Sequence, residues 1–428
     1  MSDKEEEVIN LIVNERQNVF LTGPAGTGKS TMLKTVVRLL RARGLTVATT
    51  ASTGIAAFNI NGVTFHRFVG CQLAKGTPER LADRIRKRRE LLAKWKSVEV
   101  LIIDEISMIG ADHFQRIEKT ARLVRETDAP FGGIQIVVVG DFLQLPPVKA
   151  RQCFHAKSWH DVIKHTVHLD KVFRQTHPRF MEVLSMVRLR QADDQDNQWI
   201  RENLERKLTL PDGVEPTYTV CCKKEADRIN NGFLRKRKGP SRIYNASDKV
   251  VGEIDHSDID RECIMKRKLR LRIGAKVMLT YNYSDDFVNG STGTVVGFIN
   301  GLPVVRFNSG RELTVEHVTW QMDVKSSQEQ TRVSKTSDNT ETGPRLVASR
   351  RQLPLILAWA ITIHKSQGQT LDWQIAIVTN VFETGQLYTA LSRASDPTRL
   401  QVVGYDPKKN RICRETLAFY NSIVTTPS

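Results

Sequence analysis

The sequence is poor in cysteine and has no long apolar segment. Its six cysteines are Cys71, Cys153, Cys221, Cys222, Cys263 and Cys413, and no two of them form a C-x-x-C pair. Such scattered cysteines do not indicate a disulfide framework or a zinc motif. Nowhere do about 18 apolar residues follow one another, and residues 1–10 have no apolar run of the signal-peptide type. We therefore expect a soluble, intracellular protein with reduced thiols.

Acidic residues are outnumbered by basic ones. The 428 residues include 64 Lys and Arg against 47 Asp and Glu, which leaves a formal charge of +17. An excess of this size is typical of proteins that bind polyanions, either nucleic acid or an anionic membrane surface. Composition alone does not decide between them. At roughly 100 to 200 residues per domain, the length predicts two to four domains.

Short apolar runs alternate with amphipathic stretches in the first part of the chain. The runs are β-branched and continuous, and they cover residues 19–22, 46–50, 100–103 and 134–139. Continuous runs are typical of strands that are buried on both faces of a parallel sheet. The pattern predicts an α/β fold with a first domain over residues 1–165.

A second set of runs, at 217–222 and 375–379, predicts a second α/β domain over residues 166–428. Between these runs, strands are predicted at 294–299, 304–307 and 312–315, and Asn300-Gly301 is a strong hairpin signal. We expect a small antiparallel, SH3-like insertion at 275–345 that ends in a mobile polar loop at 325–345.

The first apolar run leads into a complete G-x-x-x-x-G-K-[ST] motif. Glycines let backbone amides surround phosphate oxygens, Lys29 is expected to reach the β and γ phosphates, and the Ser30 hydroxyl is expected to bind Mg²⁺. A helix-like segment follows, as this motif requires. The candidate nucleotide ligands are Gly23, Pro24, Ala25, Gly26, Thr27, Gly28, Lys29, Ser30 and Thr31.

Polar side chains follow two further strands of the first domain. Asp104 ends the run at 100–103 and is predicted to hold Mg²⁺ together with Ser30, because a buried carboxylate is costly without a cation. Glu105 is then the candidate that orients and deprotonates the attacking water. Gln144 follows the run at 134–139, where its amide can sense the γ-phosphate.

These residues lie in motifs that resemble the Pif1 family of superfamily 1 DNA helicases, P-loop motors that move 5′ to 3′ on single-stranded DNA. The motifs are DEISM at 104–108, PFGGI at 130–134, GDFLQLPP at 140–147 and HKSQG at 364–368. Residues 107–125 resemble a signature that the more distant relatives lack. The resemblance covers nearly the whole chain.

The resemblance implies two RecA-like domains with ATP between them. It makes Arg174 and Arg393 arginine fingers from the second domain, and it adds Gly368 to the nucleotide ligands. It also implies DNA contacts at Thr53, Gly54, His66, Phe68, Pro147, His364, Lys365, Ser366, Gln386 and Tyr388. From the residues alone, Phe65 and Phe68 are as well explained by a core position as by base stacking. A short duplex-splitting insertion is expected at 66–80 from its position alone.

The sequence departs from the family near its start. Members usually carry a Gln that reads the adenine edge, and residues 2–6 are Ser-Asp-Lys-Glu-Glu here. Adenine selectivity is therefore not predicted. The chain begins almost at the phosphate loop, so we expect it to lack the long N-terminal region of many eukaryotic members.

The resemblance predicts an ATP-dependent 5′-to-3′ DNA helicase with ATP and Mg²⁺ as cofactors, which acts in replication, repair, recombination or telomere maintenance. G-quadruplexes and RNA-DNA hybrids are further candidate substrates.

The expected partners are single-stranded DNA, its junctions with duplex, and replication or repair proteins. No membrane partner is expected, and the chain is expected to be monomeric. The expected location is the nucleus or mitochondrion of a eukaryote or the cytoplasm of a bacterium. The alternatives are a nuclease-complex subunit similar to the exonuclease V alpha chain and a non-catalytic DNA-binding scaffold.

Overall fold

The structure is a computed structural model that describes residues 3–70, 76–250, 259–260, 263–281, 283–284, 286–287, 289–323 and 346–425. The loop predicted at 325–345 lies outside the described residues, as does the middle of the insertion predicted at 66–80. The chain divides into two compact units, of which Ile229–Trp359 is one and Met1–Arg228 with Ala360–Ser428 is the other.

The strands and helices are numbered here in chain order. The strands are β1 (Val19–Thr22), β2 (Val47–Ala51), β3 (Val63–Thr64), β4 (Val100–Asp104), β5 (Gln135–Gly140), β6 (His165–His168), β7 (Thr217–Val220), β8 (Ser241–Asn245), β9 (Ser247–Val250), β10 (Lys268–Arg272), β11 (Lys276–Leu279), β12 (Thr292–Ile299), β13 (Leu302–Phe307), β14 (Glu312–Thr314), β15 (Val318–Asp323), β16 (Leu346–Gln352), β17 (Leu355–Leu357), β18 (Ala360–Thr362), β19 (Gln374–Ile377) and β20 (Leu400–Val403). The helices are α1 (Asp3–Ile9), α2 (Lys29–Ala42), α3 (Gly54–Asn59), α4 (Phe65–Val69), α5 (Pro78–Arg86), α6 (Arg89–Ser97), α7 (Ala111–Arg125), α8 (Trp159–Val162), α9 (Pro178–Leu189), α10 (Asp194–Leu204), α11 (Lys223–Lys236), α12 (Ile363–Ser366), α13 (Gln386–Leu391) and α14 (Arg414–Thr425).

The first sheet is parallel and has the strand order β3-β2-β4-β5-β1-β6. Every residue of β1, β4 and β5 is buried. Successive side chains of a strand point to opposite faces, so Leu21 and Ile102 join one apolar core with α2, whereas Phe20 and Ile103 join another with α7. This two-sided burial explains the continuous apolar runs in the sequence.

The second sheet, which is also parallel, has the order β18-β7-β19-β20. Its core contains apolar side chains from α9 and α13. Both parallel sheets belong to the same compact unit, and the predicted α/β class is confirmed. Of the described helices, none is both long enough and apolar enough to cross a membrane.

The unit Ile229–Trp359 consists mainly of antiparallel strands. Its largest sheet has the order β14-β13-β12-β11-β17, in which β12, β13 and β14 form the meander expected from the sequence. Asn300 and Gly301 join β12 to β13 with φ angles of 50° and 84°, as a type I′ hairpin turn requires. The SH3-like character of this insertion and the domain limits stay predictions.

Candidate functional site

A cavity of about 390 Å³ lies at the carboxyl ends of the strands of the first sheet. The carboxyl edge of a parallel sheet is where α/β proteins generally bind ligands. The rest of the wall consists of Phe173, Arg174, Gly368 and Arg393, which follow β6 or lie beside the second sheet in the same unit. These four residues are called the second sheet's side of the cavity. The lining residues are Ala25, Gly26, Thr27, Gly28, Lys29, Ser30, Thr31, Lys34, Asn59, Glu105, Gln144, Phe173, Arg174, Gly368 and Arg393.

The loop between β1 and α2 has the backbone that a phosphate loop requires. Gly26 and Gly28 have φ angles of 86° and 78°, in the left-handed region that favours glycine. A Cβ atom at Gly26 would lie 2.6 Å from Cβ of Arg174, so no other residue fits there. The loop ends at the amino terminus of α2, whose free amides and dipole favour an anion.

Lys29 begins α2 and folds back onto the loop. Its Nζ donates hydrogen bonds of 2.7 Å to the carbonyl oxygens of both Gly23 and Pro24. Burial lowers the pKa of Lys29 to about 8, and the carboxylates of Asp141 and Glu105 partly oppose that change. A bound phosphate would favour the ammonium form further, because opposite charges stabilise each other in a buried site.

Ser30 and Asp104 form the predicted magnesium pair. The Ser30 hydroxyl donates to Oδ2 of Asp104 at 3.3 Å, and the backbone N–H of Glu105 donates to Oδ1 at 2.8 Å. Asp104 is 3% exposed, and burial, followed by repulsion from Glu105, raises its pKa to about 7. A divalent cation at these oxygens would reverse that shift. A hydroxyl beside a buried carboxylate therefore fits Mg²⁺ chemically.

Glu105 lines the cavity from a left-handed backbone conformation, with a φ of 53°. Non-glycine residues in this region are uncommon and cluster at functional sites. The Nε2 of Gln367 donates to Oε2 of Glu105 at 2.8 Å. Gln367 belongs to the HKSQG motif, but its contact with Glu105 was not predictable from the sequence, since 262 residues separate the two.

The two predicted arginine fingers line the cavity together. Arg174 donates to Oγ1 of Thr370 at 3.0 Å and to the carbonyl oxygen of Ser392 at 2.9 Å. Arg393 is 1% exposed and donates to the carbonyl oxygen of Thr389 at 2.9 Å. Burial lowers the pKa of both guanidinium groups, and for Arg393 the neighbouring Arg174 adds to that effect. Both arginines would therefore gain from a nearby anion.

Gln144 connects the two sides of the cavity. Its Oε1 accepts a hydrogen bond from Arg393 at 3.4 Å, and its Nε2 donates to Asp141 at 3.4 Å. The amide thus lies between a carboxylate of the first sheet and an arginine finger. This placement suits the predicted role of sensing charge at the γ-phosphate.

A buried network beneath the cavity was not predicted from the sequence. Arg188 donates to both carboxylate oxygens of Asp141, at 2.9 and 3.0 Å, and the Tyr420 hydroxyl donates to Oδ1 at 3.1 Å. Tyr420 also lies 2.7 Å from the hydroxyl of Thr22, at the end of β1. Asp141, within GDFLQLPP, was the sequence feature that could have indicated this network, because a buried carboxylate needs a partner.

Two of the predicted DNA contacts have other partners in the structure. The Tyr388 hydroxyl is buried and accepts a hydrogen bond of 2.8 Å from the backbone N–H of Ala25, in the phosphate loop. Gln386 is fully buried, and its Oε1 accepts from the backbone amides of Phe382 and Glu383. In this structure the two side chains stabilise the local fold and are not accessible to DNA, so their assignment as DNA contacts stays a prediction that the structure does not support.

Phe68, Pro147 and Ser366 are also buried. The Phe68 ring packs against Trp95 with 5.1 Å between centroids, so it has no free face for a base. Ser366 donates its hydroxyl proton to the carbonyl oxygen of Ile363 in its own short helix. The core interpretation is therefore correct for Phe68, and for Phe65 as well.

The other predicted DNA contacts remain partly accessible. Thr53, Gly54, His66, His364 and Lys365 are each half-buried. Thr53 accepts a hydrogen bond from the backbone N–H of Ala56 at the start of α3. His66 packs against His113 with 4.9 Å between ring centroids. Their contact with DNA stays a prediction.

Sequence comparison finds the same family over most of the chain. A family model described as PIF1-like helicase matches residues 1–196, and a model of the DNA helicase Pif1 2B domain matches residues 256–298. The chain is 37% identical over 433 residues to the ATP-dependent DNA helicase PIF1 of Xenopus laevis. That alignment covers 99% of this chain and 64% of the Xenopus protein, so the chain spans less than two thirds of that protein's length.

Structure comparison agrees with the sequence. The crystal structure of Pif1 helicase from Candida albicans matches with a TM-score of 0.89 and 33% identity, over 99% of both chains. The crystal structure of Pif1 helicase from Bacteroides in complex with ADP-AlF3 and ssDNA matches with a TM-score of 0.83 and 32% identity, over 99% of this chain and 97% of that chain. On this similarity of sequence and fold, the chain belongs to the family of PIF1-like helicases.

Proposed function

We propose that this chain is an ATP-dependent DNA helicase that moves 5′ to 3′ along single-stranded DNA and separates duplex ahead of it. One observation carries the proposal. The phosphate loop, the candidate base Glu105 and two arginines from the second sheet's side line a single cavity. The Bacteroides relative, crystallised with ADP-AlF3 and ssDNA, supports both ligands.

Each group in the cavity has a distinct task in ATP hydrolysis. The loop amides and Lys29 bind the phosphates, while Ser30 and Asp104 would hold Mg²⁺, which supplies positive charge near the transferred phosphoryl group. Glu105 accepts a proton from the attacking water as that water's oxygen bonds to the γ-phosphorus. Arg174 and Arg393 stabilise the negative charge that develops as the bond to ADP breaks.

Coupling to DNA follows from the placement of HKSQG. His364 and Lys365, which remain candidate DNA contacts, precede Gln367 and Gly368 at the cavity by two to four residues. A shift of this segment on a DNA strand changes the surroundings of Glu105. Binding of ATP and binding of the DNA strand are therefore linked reciprocally.

The proposed partners are single-stranded DNA and its junctions with duplex, bound by a monomeric chain in an intracellular compartment that contains DNA. A non-catalytic scaffold is less well supported, since Lys29, Glu105, Arg174 and Arg393 all line one cavity. Such a scaffold has no need to keep these four groups together.

Unwinding of tailed duplexes tests the function and the polarity together. The protein is mixed with ATP, Mg²⁺ and a labelled duplex that carries either a 5′ or a 3′ single-stranded tail. We expect strand separation from the 5′ tail alone, and none with Lys29→Ala, which removes the phosphate-binding ammonium. Unwinding from the 3′ tail would contradict the polarity, and unwinding by Lys29→Ala would contradict the nucleotide site.

A further inference from the structure

We propose that Gln367 is a positioning residue that holds the Glu105 carboxylate in place for hydrolysis. Gln367 lies in the segment that follows β18, whereas Glu105 follows β4 of the first sheet. The orientation of the hydrolytic group would then depend on a residue from the second sheet's side. This inference rests on the proposed role of Glu105 in ATP hydrolysis.

The Gln367 amide is directed at the Glu105 carboxylate. Its Nε2 donates to Oε2 of Glu105 at 2.8 Å and to the Ser107 hydroxyl at 3.2 Å, while the residue is 1% exposed. Its Oε1 has no hydrogen-bond partner within the described part of the chain. The amide nitrogen of Gln367 is therefore hydrogen-bonded, whereas its amide oxygen is buried without a hydrogen bond in the described ranges.

Gly368 leaves room for the other carboxylate oxygen. A Cβ atom at position 368 would lie 3.2 Å from Oε1 of Glu105, and the glycine has a φ of 78°. Oε2 is therefore held by an amide, whereas Oε1 lies beside a residue with no side chain. A carboxylate held by one oxygen can present the other to a water molecule.

Among the described residues, few groups of the first sheet's side help to orient the Glu105 carboxylate. The nearest charged neighbour along the chain is Asp104, whose carboxylate repels that of Glu105. In the ranges that the structure describes, Gln367 is the side chain that is hydrogen-bonded to the Glu105 carboxylate. Loss of its donor would leave the carboxylate able to rotate, and general-base catalysis depends strongly on such geometry.

The test measures ATP hydrolysis by Gln367→Met, which keeps the approximate volume of the side chain and removes the donor. At saturating single-stranded DNA, we expect kcat to fall about 10-fold, a part of the roughly 10²-fold to 10⁴-fold that a general base contributes. The KM for ATP should stay within about twofold, since the phosphate-binding groups are unchanged. Gln367→Glu, which puts a second carboxylate against Glu105, should lower kcat further.

A double-mutant cycle separates positioning from a general structural effect. In a Glu105→Gln background, Gln367→Met should cause no further loss, because it acts through the carboxylate that is already absent. A full 10-fold loss in that background would overturn the proposal. So would an unchanged kcat in Gln367→Met.

Gln374→Met is the matched control. Gln374 is also fully buried, its Oε1 also has no partner in the described ranges, and its Nε2 donates to Thr219 and to the carbonyl oxygen of Ala390, away from the cavity. This variant should keep the wild-type kcat, and an equal loss in both variants would contradict positioning. Absence of DNA-stimulated hydrolysis in the wild-type protein would instead contradict the proposed function.

Discussion

The two sides of the cavity differ in how their charges are balanced. On the first sheet's side, Lys29 lies near Asp104, Glu105 and Asp141, and these carboxylates oppose the effect of burial on its pKa. On the second sheet's side, burial lowers the pKa of Arg393, and Arg174 adds to this effect rather than opposing it. The Glu105 carboxylate, across the cavity, favours the charged form of both arginines.

The difference indicates a division of labour between the two sides. The first side has compensated charges, and under the proposed function it would hold Mg²⁺ and phosphate with its own residues. Within the described residues, no carboxylate of the second side acts on Arg174 or Arg393, so this side gains most when a triphosphate is present. ATP should therefore stabilise the contact between the two sides, and its hydrolysis should weaken that contact.

Removing an arginine finger should produce the largest effect. Arg174→Ala and Arg393→Ala should each lower kcat about 10³-fold, the lower end of the range for arginine fingers, because the charge they stabilise develops in the transition state. Binding of an ATP analogue should weaken far less. Single-turnover hydrolysis and equilibrium binding measure the two quantities.

Arg399→Ala is the control for these variants, since Arg399 is exposed and stacks on Trp373 outside the cavity. It should hydrolyse ATP at the wild-type rate. An equal loss of affinity and of kcat in Arg174→Ala or Arg393→Ala would show that the second side already binds the ground state. The proposed difference between the roles of the two sides would then be wrong.

The buried pair between the two sides should control stability. Arg188→Met leaves the Asp141 carboxylate buried without its cation, and the free energy of unfolding should fall by about 3–5 kcal/mol. The double variant Asp141→Leu/Arg188→Met should recover part of this loss, because no unpaired charge remains. Urea denaturation measures each value.

The exposed pair of Arg306 and Glu312 gives a reference for this prediction. Arg306→Met should change the free energy of unfolding by less than about 1 kcal/mol, as exposed ion pairs contribute little. Equal losses in Arg188→Met and Arg306→Met would show that the network beneath the cavity does not join the two sides.

A smaller effect is expected from His113, which lies away from both sides of the cavity. Burial, with smaller effects from His66 and Arg116, lowers its pKa to about 4, so the folded protein binds fewer protons than the unfolded chain below pH 6.5. Above pH 6.5 His113 is neutral in both states and does not reduce the free energy of unfolding. As the pH decreases, the free energy of unfolding falls, by about 2 kcal/mol at pH 5.

His113→Phe should make the free energy of unfolding less dependent on pH between 6.5 and 5, measured by urea denaturation at several pH values. Its kcat at pH 7.5 should equal that of the wild-type protein. A change in kcat would mean that the region around α7 contributes to the reaction after all.

The candidate site was predictable where its residues are close in sequence. The phosphate loop has a nearly invariant backbone, so GPAGTGKS predicts the geometry of Lys29 and Ser30 directly. Asp104 and Glu105 were predictable because a carboxylate at the end of a buried strand is costly unless it binds a cation or takes part in a reaction. In each case a local pattern carried the physical reason.

The DNA contacts were less predictable, since an aromatic or polar residue has similar local signals in a core and on a surface. Phe68 was compatible with both positions, and packing against Trp95 decided for the core. Tyr388 and Gln386 lie in a motif near an arginine finger, yet their hydrogen bonds hold the backbone of Ala25 and of Phe382 with Glu383.

The sequence by itself determined the fold class and the phosphate loop motif, and it predicted the candidate reacting side chains, because each depends on residue types at short spacing. Only the tertiary structure decided which distant residues meet. Gln367 and Glu105 are 262 residues apart, and Tyr420 and Thr22 are 398 apart. Such pairs form because buried polar groups must find partners wherever the packing of the sheets brings them together.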